Sequence, residues 1–360
     1  MKKIFYFTHV PWNWIKQRPQ FIAEELSKNF QVDIFQEKPY VTNLTQAASK
    51  LSVTTFFRLP VNRFSFGRAM NAWLIKRQIK SVIKNYDYVW LTSPTLYRSI
   101  RNTISDNHQL IYDCMDDILA FPAIANDKLW KKEMEKQEKA LIERADIVFC
   151  TSEHLKEKLI KRYDIQNKNI IIVNNAINLY ANNKEVILPE NINQAFENNP
   201  KNLTYIGTIS AWFDFETTLA ALDKYPDLQL FLFGPTEVPI PSHERLTHFG
   251  PIPHEQVYEV MKKAGVLIMP FILNELILSV NPVKLYEYVY SEKITIAKKY
   301  GETLKFDDYV YLYDTAENFN NFVGKYYNNE LALKLSPEAY KNFGVSNTWQ
   351  ARIEQIKQCV

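Results

Sequence analysis

Lys284 is the residue of this chain whose position most clearly suggests chemistry. In the segment SVNPVKLYEYVYSEK, Asn281 and Pro282 are typical of a helix start, with Asn281 as the N-cap and Pro282 as the first helical residue. Lys284 then falls in the first turn, where the helix dipole makes a cation unfavourable by roughly 0.3–1 kcal/mol. This position indicates an anion at the helix start, although Lys284 could instead point into water and pair with Glu287 or Glu292.

Acidic and imidazole side chains follow two predicted strands in the first half of the chain. His9 ends the first strand and is a candidate general base, although a lone histidine is more often structural. The motif YDCMDD places Asp113, Asp116 and Asp117 around the end of another strand. Asp116 and Asp117 are candidates to accept a proton from a reacting hydroxyl or to orient it. A helix-capping acidic loop is the alternative, and a Mg²⁺ site formed by the three carboxylates is a weaker one.

The loop after the first strand, VPWNWIKQRPQ, carries two tryptophans and an arginine. Trp12 and Trp14 could stack on a sugar ring, or they could seal the edge of the domain. Arg18 opens the following helix, where a cation is again unusual, which suggests a phosphate contact. We interpret these three residues as candidates for binding an acceptor.

Short apolar runs with β-propensity alternate with longer amphipathic runs along the chain. Strands are predicted at 3–9, 31–36, 51–59, 88–94, 110–115, 146–152, 169–175, 203–209, 228–235, 245–252, 266–271, 294–299 and 309–314. Helices are predicted at 16–28, 68–85, 127–144, 153–163, 214–224, 254–264, 282–290, 315–328 and 347–358. The alternation predicts two tandem α/β domains, each a Rossmann-like, doubly wound parallel sheet. Such sheets bind ligands outside the carboxyl ends of their strands, so we expect the reaction in an interdomain cleft.

The domain boundaries follow from a change in composition. Residues 181–201 lose the periodic pattern and are rich in Asn, Glu and Pro, which predicts a linker. This linker separates an N-terminal domain, 1–180, from a second domain, 202–345. The C-terminal helix, 346–360, is expected to return to the N-terminal domain.

Missing motifs exclude several classes of enzyme. The chain has eight glycines, with neither a G-x-G-x-x-G nor a P-loop pattern, which argues against nicotinamide oxidoreductases and P-loop NTPases. It also lacks the G-x-S-x-G pattern of α/β-hydrolases. Three scattered cysteines, a start unlike a signal peptide and the lack of a long apolar run predict a cytoplasmic protein without a membrane span.

The segment 38–84 contains nine basic residues and no acidic one. One interpretation is an ordinary helix with a solvated basic face. The other is a surface for anionic lipid or a lipid-linked phosphate, where each nearby Lys or Arg contributes about 1 kcal/mol. The second interpretation would make the protein peripheral at the inner face of the cell membrane. Nucleic acid is not an expected partner, because the net charge is only +3 and no recognition motif is present.

Several segments resemble those of nucleotide-sugar glycosyltransferases with the GT-B fold, close to glycosyltransferase family 4. The segment ADIVFCTSEHLKEKL is similar to a strand-to-helix stretch of that family, and IIIVNNAIN is similar to its hinge strand. FGPIPHEQVYEVMKKAGVLIMPF and NPVKLYEYVYSEKITIA resemble segments of its donor domain. The resemblance covers nearly the whole chain, and it implies that 1–180 is the acceptor-side domain and 202–345 the nucleotide-sugar donor-binding domain. It implies a nucleotide-sugar donor as substrate and a reaction without a metal or other cofactor.

The resemblance also implies which residues bind the donor. Glu287 matches a glutamate that holds the donor ribose, Pro253 marks a turn against the nucleobase, and Lys284 would stabilise charge on the leaving diphosphate. Further donor contacts are expected from Gly207, Thr208, Ser279, Asn281, Pro282 and Val283. The sequence departs from the family at two places. Ser279 stands where the family has the first glutamate of its Glu-x7-Glu pair. No basic residue occurs between Gly207 and Leu219, where family members often carry an Arg and a Lys.

The expected activity is transfer of a sugar from a nucleotide-diphosphate donor, UDP rather than GDP, to a bacterial surface glycan or a polyprenyl-diphosphate-linked oligosaccharide. The resemblance implies retention of the anomeric configuration. Two alternatives remain open. A nucleotide-sugar epimerase would change the donor without an acceptor, and a non-catalytic GT-B-like partner of a glycan-assembly complex would account for the missing glutamate and basic residues.

Overall fold

A computed structural model of the chain describes residues 1–13, 16–39, 51–61, 64–179 and 186–360. The chain divides into two compact units. Unit 1 consists of Met1–Asn174 together with Trp349–Val360, and unit 2 consists of Asn175–Thr348. Each unit has its own sheet and its own hydrophobic core.

Unit 1 contains a parallel sheet of seven strands in the part of the chain that the structure describes. Its strands are β1 (Lys3–Thr8), β2 (Gln31–Pro39), β3 (Val53–Arg58), β4 (Tyr88–Leu91), β5 (Gln109–Cys114), β6 (Ile147–Cys150) and β7 (Ile170–Ile172). They lie in the order β3-β2-β1-β4-β5-β6-β7. The strand order therefore reverses direction between β1 and β4, the position where doubly wound sheets open a crevice for ligands.

The helices of unit 1 cover both faces of this sheet. They are α1 (Arg18–Leu26), α2 (Ser65–Ile79), α3 (Pro94–Ile100), α4 (Pro122–Ala125), α5 (Lys128–Arg144), α6 (Glu153–Tyr163) and the C-terminal α13 (Trp349–Lys357). The α13 helix belongs to unit 1 because Trp349 stacks on Phe21 of α1, with ring centroids 5.3 Å apart, and Gln355 donates a hydrogen bond to the carbonyl of Ile172.

Unit 2 repeats the same plan with six parallel strands in its described residues. They are β8 (Asn202–Ile206), β9 (Gln229–Phe233), β10 (Leu246–Gly250), β11 (Val266–Met269), β12 (Thr295–Lys298) and β13 (Tyr311–Tyr313), in the order β10-β9-β8-β11-β12-β13. Its helices are α7 (Glu190–Asn198), α8 (Phe215–Lys224), α9 (His254–Lys263), α10 (Val283–Tyr290), α11 (Ala316–Tyr327) and α12 (Pro337–Ser346). Here the strand order reverses between β8 and β11.

The predicted fold class, two doubly wound parallel α/β domains, is confirmed. The domain boundary differs from the prediction. The sequence predicts a linker at 181–201, but residues 190–198 form α7, and Ile192 and Phe196 of that helix are buried in the core of unit 2. Two apolar side chains at i and i+4 are enough to dock this otherwise polar helix. Residues 181–185 lie outside the described residues.

Candidate functional site

In unit 2, two glycines end neighbouring strands with their backbones in close contact. Gly207 follows β8 with φ of 150°, and Gly234 follows β9 with φ of 135°. A Cβ atom on Gly234 would lie 2.2 Å from the carbonyl oxygen of Gly207, so only glycine fits there. Gly207 also donates its N–H to the carbonyl of Phe233, at 2.7 Å. The carboxyl ends of β8 and β9 are therefore in close backbone contact beside the β8–β11 reversal.

The side chain of Lys284 occupies the space beside Gly207. A Cβ atom on Gly207 would lie 1.9 Å from Cε and 2.6 Å from Nζ of Lys284, so the lysine reaches this edge only because residue 207 has no side chain. Its Nζ lies 5.6 Å from the ring centroid of Tyr205. Among the described residues, this Nζ has no hydrogen-bond acceptor and no ion-pair partner.

Burial disfavours the charge on Lys284 and lowers its pKa, while the nearby carboxylate of Glu287 opposes that shift. The alternative partner considered from the sequence, Glu292, instead forms an ion pair with Lys341 at 3.7 Å. Lys284 is thus a half-buried cation in the first turn of α10, and its side chain lies beside Gly207 at the end of β8. This arrangement is suited to an anionic ligand.

The start of α10 differs from the prediction. Pro282 is the N-cap and Val283 the first helical residue, so the assignment of Asn281 as N-cap is wrong. The buried side chain of Asn281 accepts a hydrogen bond from the N–H of Asn175 at 2.8 Å and donates one to Glu302 at 3.0 Å. These contacts hold the segment before the helix. In the first turn, the N–H of Leu285 donates to the carbonyl of Pro282 at 3.1 Å, whereas the N–H groups of Val283 and Lys284 precede the first intrahelical bonds.

The other predicted donor residues of unit 2 have distinct environments. The hydroxyl of Ser279 is buried and donates to the carbonyl of Glu275 at 3.3 Å, so in this structure it supports the loop. Thr208 is half-buried, and its carbonyl accepts a hydrogen bond from the hydroxyl of Tyr205 at 2.9 Å. Pro253 is exposed and is the N-cap of α9. Of this set, Lys284, Gly207 and the backbone at Val283 remain the best candidates for contact with a diphosphate.

In unit 1, His9 lies at the strand-order reversal. It follows β1, and its Nδ1 lies 2.9 Å from the hydroxyl of Thr92, the residue after β4. The same hydroxyl accepts the backbone N–H of His9 at 3.1 Å. His9 itself is exposed. Its ring is therefore oriented by a neighbouring strand and open to a ligand at the edge where ligands of such sheets bind.

Arg18 has a structural role that differs from the predicted phosphate contact. Its buried guanidinium donates to both carboxylate oxygens of Asp113, with the shortest distance 2.8 Å, and to the carbonyl of Val173 at 2.8 Å. These bonds connect α1 to the ends of β5 and β7. Because both partners of the ion pair are almost fully buried, neither is available to an acceptor.

The remaining two carboxylates of the YDCMDD motif are in different electrostatic environments. Asp117 is buried and pairs with Arg162 at 2.8 Å and Lys158 at 2.9 Å; burial would raise its pKa, but these two cations outweigh burial and lower it. Asp116 has no hydrogen-bond or ion-pair partner for its carboxylate among the described residues. Burial raises the pKa of Asp116 to about 6, against the opposing charge of Arg18. Asp116 is therefore a better candidate for proton transfer than Asp117.

Trp12 is buried, with 7% of its surface exposed, and its backbone N–H donates to the side chain of Gln36 at 2.8 Å. This burial favours a packing role, the alternative to sugar stacking, over stacking on a ligand. Trp14, the other predicted acceptor residue, lies outside the described residues. No set of three His, Cys, Asp or Glu side chains is grouped as metal ligands in the described part of the chain. Within the same residues, no helix is both long and apolar enough to cross a bilayer.

Known proteins share both sequence and fold with this chain. Residues 21–180 match the family model described as Glycosyltransferase Family 4. A protein of Bacillus subtilis (strain 168) named as a teichuronic acid biosynthesis glycosyltransferase, TuaH, is 25% identical over 287 residues, which are 74% of this chain and 70% of that protein.

Solved structures show the same fold over nearly the whole chain. Sucrose-phosphate synthase from Thermosynechococcus elongatus has a TM-score of 0.73 at 16% identity, with 99% of this chain and 98% of that chain covered. HepE of Anabaena, solved in complex with UDP-glucose, has a TM-score of 0.71 at 12% identity, with 99% of both chains covered. The predicted resemblance to GT-B enzymes of family 4 is thereby confirmed.

Proposed function

We propose that this chain, a GT-B glycosyltransferase that resembles family 4, transfers a sugar from UDP to a glycan or lipid-linked oligosaccharide of the bacterial cell surface. The observation that carries the proposal is the amino group of Lys284 beside Gly207, at the carboxyl edge of β8, which has no hydrogen-bond or ion-pair partner in the described part of the chain. HepE, which has a similar fold, was solved with UDP-glucose, and TuaH is named for a polysaccharide pathway; both support this choice of substrates.

Lys284 would act on the leaving group. During transfer, the bond between the anomeric carbon and the diphosphate oxygen breaks, and its electron pair stays on the diphosphate. A cation and free N–H groups held in a partly buried site stabilise that developing charge more in the transition state than in the ground state. Burial lowers the pKa of Lys284, and a bound diphosphate would stabilise the protonated amine.

The acceptor hydroxyl forms the new bond to the anomeric carbon and releases its proton. If the configuration is retained, as the family resemblance implies, the departing diphosphate oxygen can take this proton. If it is inverted, a base is needed, and the residues of unit 1 suited to that role are Asp116 and His9. We propose retention and a reaction without a metal ion, with Glu287 on the ribose of the donor.

The proposal is tested by thermal unfolding of the full chain with UDP, GDP, ADP and CMP, each with and without EDTA. We expect UDP to raise the Tm in both conditions and Lys284→Ala to abolish the rise. Lys293→Ala is the matched control, because Lys293 is also half-buried with a pKa lowered by burial but lies beyond the other end of α10. No rise with any nucleotide would contradict the donor site, and a rise that EDTA removes would contradict metal independence.

We further propose that α2 places unit 1 on an anionic membrane. The exposed aromatic side chains Phe66 and Trp73 are seven residues apart on this helix, and they are 76% and 58% exposed. The basic residues Arg77 and Lys80 continue the same exposed surface. Aromatic rings with adjacent cations suit the interface of anionic lipids, where both the apolar and the charged parts gain contact.

Liposome flotation tests this surface. We expect the protein to float with vesicles of phosphatidylglycerol and phosphatidylcholine but not with phosphatidylcholine alone. Trp73→Ser should reduce flotation, whereas Leu129→Ser should not, since Leu129 is 82% exposed on α5 of the same unit but lies in a different helix. Equal flotation with the two kinds of vesicle would rule out the proposed surface.

A further inference from the structure

A cavity of about 210 Å³ opens in unit 1 at the carboxyl ends of β1, β2 and β3. Its walls come from those strand ends and from helices α2, α3 and α5, and His9 forms part of its lining. Its volume is below the roughly 300–1,000 Å³ of sites for drug-sized ligands, which suits a single sugar unit or its charged substituent.

Three arginines from three separate elements line this cavity. Arg58 ends β3, Arg68 lies on α2 and Arg98 lies on α3. All three are half-buried rather than extended into solvent. Guanidinium groups present planar donors that match carboxylate and phosphate oxygens, and partial burial strengthens their interaction with an anion.

One acidic residue lines the cavity together with these arginines. Glu37 is the acidic residue among the cavity lining, and its Oε2 is 3.9 Å from Nε of Arg58, which is too long for a good hydrogen bond. Burial raises the pKa of Glu37 to about 7, despite a hydrogen bond from Ser99 and the charge of Arg58. Arg98 also forms an ion pair with Glu133, at 3.3 Å, which does not line the cavity. The lining itself therefore holds three arginines and one glutamate.

An aromatic ring completes the cavity. The guanidinium of Arg68 lies over the ring of Trp130, 4.6 Å from its centroid, which fixes the orientation of the arginine. Trp130 is half-buried and also lines the cavity, so it offers an apolar surface beside the cations. Rings and guanidinium groups side by side are suited to a molecule with both an apolar face and an anionic group, as in an acidic sugar.

We infer that this cavity binds the anionic group, a carboxylate or a phosphate, of an acidic sugar in the acceptor. The inference rests on the proposed transferase function and names the acceptor class for it. With the anion held among Arg58, Arg68 and Arg98, the rest of the sugar extends past His9 toward the reversal of strand order, where the hydroxyl of Thr92 orients the imidazole. The cavity thus positions an acceptor by its charge, next to His9, which would contact its reacting hydroxyl.

The test is calorimetric titration of the full chain with three soluble probes: methyl β-D-glucuronide, glucose 6-phosphate and the neutral methyl β-D-glucoside. We expect at least one anionic probe to bind roughly tenfold or more tightly than the glucoside, since hydrogen bonds to charged groups are the stronger ones. The tighter of the two anionic probes identifies carboxylate or phosphate as the natural group. Equal affinity for all three, or binding of none, would overturn the inference.

Variants locate the binding. Arg98→Gln and Arg58→Gln should each weaken the anionic probe by roughly ten- to a hundredfold. Arg101→Gln is the matched control, because Arg101 is exposed at the end of α3 and does not line the cavity. Unchanged affinity in both cavity variants would also overturn the inference. Stabilisation by UDP is measured in parallel: if it is normal while acidic probes fail to bind, the acceptor inference fails alone, and if UDP gives none, the transferase proposal fails.

Discussion

Replacing Gly207 by alanine should disable the enzyme through Lys284. The new Cβ would lie 1.9 Å from Cε of Lys284, whereas carbon atoms in contact are about 3.5–4.0 Å apart. The lysine side chain must therefore move by about 1.6 Å or more. A misplacement of about 1 Å at a catalytic group can cost on the order of 10²-fold in rate. We expect turnover to fall by about 10²-fold and stabilisation by UDP to be lost.

The same substitution also carries a backbone cost, which must be separated from the effect on Lys284. Gly207 has φ of 150°, and holding alanine in such a conformation costs about 1–3 kcal/mol. Gly250→Ala measures a cost of this kind by itself, since Gly250 has φ of 77° but a Cβ atom there would meet no heavy atom within 4 Å. Both variants should therefore lower the Tm.

A double-mutant cycle decides whether the loss of turnover passes through the lysine. In the Lys284→Ala background no long side chain remains to be displaced, so adding Gly207→Ala should reduce turnover little further. Steady-state kinetics with UDP-glucose and thermal unfolding with UDP provide the readouts. Additive losses in the double variant, or a normal response to UDP in Gly207→Ala, would refute the assigned contact.

Three further predictions concern individual charges. Lys284→Met should raise the Tm of the ligand-free protein, because burial disfavours the charge on Lys284. A gain of about 1 kcal/mol in the free energy of unfolding corresponds to about 2–4 °C for a unit of this size. A lower Tm in the variant would contradict this prediction. Asp116 has a pKa of about 6 in the folded chain against a usual 3.8. Its contribution to stability is therefore full below about pH 4 and is lost as the pH rises through about 6. Asp116→Asn should flatten the dependence of Tm on pH over this range, and an unchanged dependence would count against the shift. Arg18→Met should lower the free energy of unfolding, measured in urea, by about 3–5 kcal/mol, because it leaves the buried carboxylate of Asp113 without its cation. Lys28→Ala removes an exposed pair and should cost no more than about 1 kcal/mol.

The strands of both sheets could be predicted from the sequence, but several helices could not. Each predicted strand has a counterpart in the structure. The fully buried ones, such as β4, β6 and β11, are short apolar runs with clear limits, as expected for parallel strands covered on both faces. The helix α7 was missed because Ile192 and Phe196 are its buried apolar residues among Asn and Glu. The seven-residue helix α3 was missed because it is too short to show a helical period.

The candidate site was predicted less completely, because its residues are defined by contacts between distant parts of the chain. Asn281 has the composition of an N-cap, yet it binds Asn175, which is 106 positions away. Asp116 and Asp117 are adjacent and equivalent in sequence, and the cations of Arg162 and Lys158 distinguish them. The arginine cavity escaped prediction because its cations come from three separate elements.

The division of the chain has a consequence for its synthesis. Unit 1 is discontinuous, since Trp349–Val360 belongs to it while Asn175–Thr348 forms unit 2. Unit 2 closes on its own ends, because the N–H of Ile177 donates to the carbonyl of Asn347 at 3.0 Å. On the ribosome, unit 2 can therefore finish folding before unit 1, because Phe21 of α1 is not covered until Trp349 has been synthesised. Nascent chains paused before residue 349 should bind chaperones through this uncovered face of unit 1.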